Sequence, residues 1–212
     1  WKILKESKKV NNNNLAKKNK TIELNEEEIN DRFYKDLEFG TGGLRGVLGA
    51  GTNRMNVLTV GKATQGYADY LHRHFERPSV AISYDSRRNS ALFARCAACV
   101  FAANGIAVHL YSRLMPTPAL SFAVLELGCS GGIMITASHN PAKYNGYKVY
   151  GADGCQITTE AAAEIQAAIN AVDLFTQVRT GEYDDFAAQG LITLIPESVT
   201  DRYLQAVACC SL

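Results

Sequence analysis

The sequence predicts an α/β fold in which helices cover a mainly parallel sheet, and three observations predict it. Apolar runs and helical patterns alternate in the order β-α-β-α-β between residues 80 and 136, the spacing of crossover units. The strand-like runs are continuously apolar, as expected of strands covered on both faces. With 212 residues, 47% hydrophobic and 20% charged, the chain is also large enough to bury a core without disulfide or metal staples.

The elements follow in order. Residues 1–20 carry seven lysines and the run Asn11 to Asn14, so they read as a basic Lys/Asn-rich extension. Residues 21–38 carry seven acids and two bases, with a helix expected from Asn25 to Leu37. Val57, Val60, Ala63, Ala68 and Leu71 recur at helical intervals between Asn56 and Phe75, and Pro78 closes that segment. Then come strand Val80 to Tyr84, helix Ser90 to Ala103, strand Ile106 to Tyr111, helix Pro118 to Leu127 and strand Gly132 to Thr136. A fourth strand, Gly146 to Tyr150, precedes a helix from Glu160 to Val172, and Pro196 with Glu197 opens a last helix through Val207.

Composition narrows the function. Lys and Arg total 22 against 21 Asp and Glu, a formal net charge of +1, which argues against nucleic acid as partner. No apolar run approaches the ~20 residues that span a bilayer; the longest, Ala97 to Val108, is broken by Asn104 and Gly105. No membrane partner is therefore expected. Residues 1–10 alternate lysine with apolar residues and resemble no secretory signal, so the expected location is cytoplasmic. Of the six cysteines, Cys96 and Cys99 form a Cys-x-x-Cys pair inside an alanine-rich helical pattern, where packing is expected rather than zinc or redox chemistry. His72 and His74, two apart near a helix end, point to different sides and make a poor zinc pair.

Ligands of open α/β sheets gather beyond the carboxyl ends of the parallel strands. That rule selects the loops Asp85 to Arg87, Ser112 to Thr117 and Thr136 to Asn145. A glycine cluster, Gly40-Thr41-Gly42-Gly43-Leu44-Arg45-Gly46, lies upstream of the first long helix. It lacks the Gly-Lys-Ser/Thr of a Walker loop, and Arg45 and Arg54 stand where a dinucleotide loop needs its third glycine. What remains is flexible backbone around Arg45, either a fork for phosphate or carboxylate oxygens or a turn with a structural ion pair. In Thr136-Ala137-Ser138-His139-Asn140-Pro141, Ser138 is a hydroxyl at a strand end, presented to a ligand or merely part of a capped turn. Hydrolase glycines are missing on both sides of it. Ser138 and His139 would diverge in extended backbone unless the loop turns sharply. Asn145-Gly146 predicts a tight turn that brings Lys148 back towards Ser138, as a phosphoryl ligand or proton carrier, or else as an exposed edge lysine. Asp85 and Arg87 are expected to orient Arg45, to bind substrate or to form a local ion pair.

Taken together, FGTGGLRG at 39–46, GAGTNRMN at 49–56, YDSR at 84–87, and TASHNP at 136–141 followed by YNGYKVYG resemble the α-D-phosphohexomutase superfamily, in its phosphoglucomutase and phosphopentomutase branch. The resemblance runs from about Asp31 to about Leu204. It implies a three-layer α/β/α domain with a mixed, mainly parallel four-stranded sheet. It also implies a phosphorylated Ser138 that donates its phosphoryl group to a sugar monophosphate, with a sugar bisphosphate as intermediate. By the same resemblance Arg45 approaches the phosphoryl group, His139 lines the site, and Lys148 is the proton-transfer candidate. Mg2+ would bridge the phosphate on Ser138 and three aspartates, and glucose 1,6-bisphosphate would act as primer.

The family's aspartate-rich metal loop and its sugar- and phosphate-binding loops do not occur in these residues. With Trp1 at the start and Leu212 at the end, the expected organisation is the extension 1–20, a phosphohexomutase first domain at 21–195 and the start of the connection to a second domain at 196–212. Its partners would be sugar phosphates and the remaining domains of the same enzyme, without which these residues are expected to be inactive.

Overall fold

A computed structural model describes residues 25–210. The Lys/Asn-rich segment 1–20 lies outside the described residues. The chain divides into two compact units, one ending at Asp31 and the other running from Arg32. Helix α1 (Glu26–Phe33) spans that division and buries none of its residues. Asn25 caps it, its side-chain oxygen accepting from the Glu28 amide at 2.8 Å, and three glutamates fill the first turn, where the helix dipole favours negative charge. It ends four residues before the expected Leu37.

The second unit is built on one sheet of six strands: β1 (Gly43–Val47), β2 (Ser79–Tyr84), β3 (Ala107–Leu110), β4 (Gly131–Ile135), β5 (Tyr144–Gly151) and β6 (Ile192–Leu194), in the order β1-β5-β4-β2-β3-β6. The pairs β4–β2, β2–β3 and β3–β6 are parallel, whereas β5 runs antiparallel to both β4 and β1. The mixed, mainly parallel α/β/α class is as expected, but the strand count is six rather than four. The two added strands, β1 and β6, lie at the sheet edges and have no long apolar run. Backbone pairing defines them: Leu44 to Tyr147 on one side, Val108 to Ile192 on the other.

Alternate residues of the central strands supply two cores. Val80, Ile82, Ile133, Ile135, Tyr147 and Val149 face one side. There they meet α2 (Val57–His74), α3 (Ser90–Ala103) and α5 (Thr159–Ala171) through Tyr67, Phe101 and Ile169. Ala81, Met134 and Tyr150 face the other side, covered by Leu120 and Val124 of α4 (Thr117–Glu126) and Val199 of the last helix, α7 (Glu197–Cys209). Each fully buried Ile or Phe contributes about 1.5–3 kcal/mol of transfer free energy. A short helix, α6 (Tyr183–Ala188), absent from the sequence expectation, packs against α3 and β6.

Helix starts follow local chemistry. Asn56 caps α2 by accepting from the Leu58 and Thr59 amides, and the Thr59 hydroxyl oxygen accepts from the Asn56 backbone amide, completing a capping box. The Asn56 amide group also donates to the carbonyls of Gly49, Gly51 and Arg54, tying the GAGTNRMN loop to the helix. Among the described residues no helix is long and apolar enough to cross a membrane.

Candidate active site

Three strands position the site. Because α4 packs on β2 and β4, the same face of the sheet farther along, over β5 and β1, lies open and forms a cleft of about 450 Å3. Its walls include Gly42, Arg45, Asn53, Thr136, Lys148 and Gln156. Register explains the grouping. Gly146 of β5 pairs with Arg45 on one side, and its carbonyl accepts from the Thr136 amide at 3.1 Å on the other, while Lys148 pairs with Met134 and Gly43. Residues two apart on a strand share a face, so Arg45 and Lys148 stand on the same side, opposite buried Leu44 and Tyr147. Two cationic side chains thus overlook one cleft beyond a strand end.

Two local expectations change here. The glycine-rich segment is a strand at Arg45, not a loose turn, since antiparallel pairing with β5 captures its backbone. Gly43 has φ +142°, and a Cβ there would sit 1.9 Å from the Tyr147 carbonyl oxygen, so glycine is required for the strands to meet. Asn145-Gly146 is likewise no turn but lies inside β5. The Asn145 side chain is fully buried, donating to the Arg88 carbonyl and the Ser90 hydroxyl. Lys148 therefore reaches the site by strand register rather than by a reversal of the chain.

Ser138 is exposed and has φ +55°, a left-handed conformation that costs a non-glycine residue roughly 1–2 kcal/mol. The loop does turn sharply: Ser138 Oγ lies 3.3 Å from His139 Nδ1. Arg45 reaches the same loop, one guanidinium nitrogen standing 3.4 Å from Asn140 Oδ1. Ser138 and His139 follow the wall residue Thr136 by two and three positions without lining the cleft themselves. Of the three loops expected at the strand ends, those after β2 and β4 meet. The Ser112 to Thr117 loop contributes no wall, its Ser112 carbonyl accepting from the Tyr84 hydroxyl instead.

Among the described residues no hydrogen bond or ion pair joins Asp85 or Arg87 to Arg45, and neither lines the cleft, although Asp85 holds its wall residue Thr136. Asp85 accepts from the Thr136 hydroxyl at 2.6 Å and the Ser90 hydroxyl at 2.8 Å, and Arg87 donates to backbone carbonyls of the Ser138 loop. The sequence signal for this was their position just after a strand; which loop they would grip is a matter of topology. On the other face of β5, Tyr147 is wholly buried, away from the cleft, and burial pushes its phenol well up. Burial likewise raises the Cys96 thiol to about 11, leaving it a packing residue whose sulfur reaches the Val57 carbonyl. His72 and His74 bind the Asn104 carbonyl and the Glu164 carboxylate respectively.

The donor set does not make a magnesium site. Among the described residues no three His, Cys, Asp or Glu side chains converge on one point, and Asp85, the carboxylate tied into this loop, is engaged by Thr136, Ser90 and Arg87.

A family model described as phosphoglucomutase/phosphomannomutase, alpha/beta/alpha domain I, matches residues 36–175. The chain is 40% identical over 182 residues to a phosphoglucomutase of Staphylococcus saprophyticus, covering 86% of this chain and 33% of that protein. It is 44% identical over 163 residues to a phosphopentomutase of Pongo abelii, covering 73% and 27% respectively. The crystal structure of a phosphoglucomutase/phosphomannomutase family protein from Burkholderia thailandensis is similar with a TM-score of 0.61 at 22% identity, over 79% of this chain and 34% of that one, a likeness of fold alone. The chain thus spans 33% or less of the length of these two curated relatives. Since the matched segment contains the strands and loop that carry Arg45, Ser138 and Lys148, the chain belongs to the phosphoglucomutase/phosphomannomutase family, through its α/β/α domain I.

Proposed function

We propose that this chain is the phosphoserine-bearing first domain of a phosphoglucomutase or phosphopentomutase, an isomerase that interconverts a sugar 1-phosphate with the 6-phosphate or 5-phosphate through a sugar bisphosphate. The observation that carries the reading is the exposed Ser138 hydroxyl, on a strained left-handed turn at a strand end, with Arg45 touching its loop. In the forward half-reaction the phosphorus–Oγ bond breaks as a bond to the attacking sugar oxygen forms. The sugar hydroxyl proton ends on Ser138 Oγ, with Lys148 as the carrier. Arg45 and Lys148 place positive charge near the transferred group, whose equatorial oxygens carry the developing charge. The second half-reaction returns the other phosphoryl to Ser138. His139 lines the approach. Magnesium and glucose 1,6-bisphosphate are the expected requirements, the metal's carboxylates being supplied by residues other than those described.

The test is intact mass and peptide mapping of the protein extended to the length of its relatives, after incubation with glucose 1,6-bisphosphate and magnesium. A gain of one phosphoryl on Ser138, absent from Ser138→Ala, is the expected result. A protein extended to the length of its relatives that takes up no phosphoryl, under conditions that label an active relative, would instead be a sugar-phosphate-binding or partner-binding member of the same fold.

A further inference from the structure

The turn after β2 grips the Ser138 loop from below, and the contacts are specific enough to assign a role. Arg87 donates through one terminal nitrogen to the carbonyls of Ser138 at 2.5 Å and Asn140 at 2.6 Å, and through the other to those of Pro141 and Tyr144, both at 3.2 Å. Its Nε lies 3.5 Å from Asp85 Oδ2, and its side chain is only 15% exposed. A guanidinium has five N–H donors in a fixed fork. The four N–H groups of its terminal nitrogens are met by four carbonyls and Nε faces the Asp85 carboxylate, so its fork is occupied by protein. Asp85 holds the opposite end of the same residue indirectly: it accepts from the Thr136 hydroxyl at 2.6 Å, and Thr136 Oγ1 in turn accepts from the Ser138 amide at 3.0 Å. The N–H and the C=O of Ser138 are therefore both fixed from one salt-bridged pair, across the peptide units that define its left-handed φ.

We propose that Arg87 is a positioning residue that, held by Asp85, fixes Ser138 in its left-handed conformation so that Oγ is presented for phosphoryl transfer. The proposal deepens the reading of Ser138 as phosphoryl donor and rests on it for its purpose, but not for its geometry. Lysine offers a point charge with no fork and cannot serve four carbonyls at once, so even Arg87→Lys is expected to fail.

Amide hydrogen exchange on the chain separates the two ideas. In Arg87→Lys and Arg87→Ala, peptides covering 136–145 should exchange about tenfold faster or more, while peptides of α3 keep their protection. Thr136→Val, close in volume and lacking the acceptor for the Ser138 amide, should loosen the same segment. Where wild type takes up phosphoryl, the uptake rate should fall about hundredfold in the arginine variants, the cost of a misplaced reacting group, with half-saturation by glucose 1,6-bisphosphate little changed. Unchanged exchange across 136–145 in folded Arg87→Lys and Thr136→Val overturns the proposal. So does Arg87→Lys restoring both protection and uptake. Loosened exchange, alongside a wild-type protein extended to the length of its relatives that takes up no phosphoryl, upholds the clamp and removes the phosphoserine reading instead.

Discussion

Gly146 sits in β5 between β1 and β4, and replacing it with alanine tests whether the strand register builds the site. A Cβ at that position would lie 2.5 Å from the Thr136 carbonyl oxygen and 2.9 Å from that of Leu44. Both distances fall short of ordinary van der Waals contact by roughly 0.5–1 Å. Both obstacles are backbone atoms, one in β1 and one just past the end of β4, so no side chain can rotate away and the sheet itself must open. Overpacking of this kind costs about 1–3 kcal/mol, and a double backbone clash belongs at the upper end, less the few tenths gained because alanine restricts the unfolded chain. For a domain of this size about 3 kcal/mol lowers Tm by roughly 6–12 °C. The assay is thermal unfolding by circular dichroism with urea melts alongside, where the midpoint should fall without a change in slope. The site should also suffer, since Arg45 and Thr136 flank Gly146. A Gly146→Ala protein melting within about 2 °C of wild type would refute the packing of β5 between those carbonyls, and with it the placement of Arg45 beside the Ser138 loop.

Three other outcomes are expected. Asn56→Ala removes a capping box and three loop hydrogen bonds at once, so it should cost about 2 kcal/mol or more in urea melts, beyond an ordinary cap. His109, half-buried beside Thr193, has its pKa lowered by burial; its neutral ring supports folding above the unfolded-state value of about 6.5 and loses that support as pH falls through the folded value. The drop in Tm between neutral and mildly acid pH should therefore be smaller in His109→Gln than in wild type. Lys148→Met should slow phosphoryl uptake at Ser138 far more than it lowers Tm, and equal losses in both would reduce Lys148 to a strand residue.

The candidate site was legible in part. Ser138, His139, Arg45 and Lys148 stood out because hydroxyl, imidazole and cationic groups beside strand ends and glycines are chemically conspicuous. Their spatial relation was not legible in the same way. Adjacency in extended backbone kept Ser138 from His139, yet a left-handed φ brings Oγ to 3.3 Å from the ring. Asn-Gly read as a reversal because that dipeptide favours turns in isolation, whereas in the folded sheet the missing Cβ of Gly146 and the buried amide of Asn145 serve close strand packing.

By itself the sequence determined the layered α/β class, the main helices and the residue types at the site, because apolar periodicity, caps and breakers act over a few residues and leave a local record. Only the tertiary structure decided that β1 and β6 complete a six-stranded sheet, that the face over β5 and β1 stays open, and that Arg87 holds the loop of Ser138. Edge strands and carbonyl clamps depend on backbone groups, which every residue carries alike, so no side-chain pattern announces them; their partners lie about 50 to 105 residues away and meet only when the sheet closes.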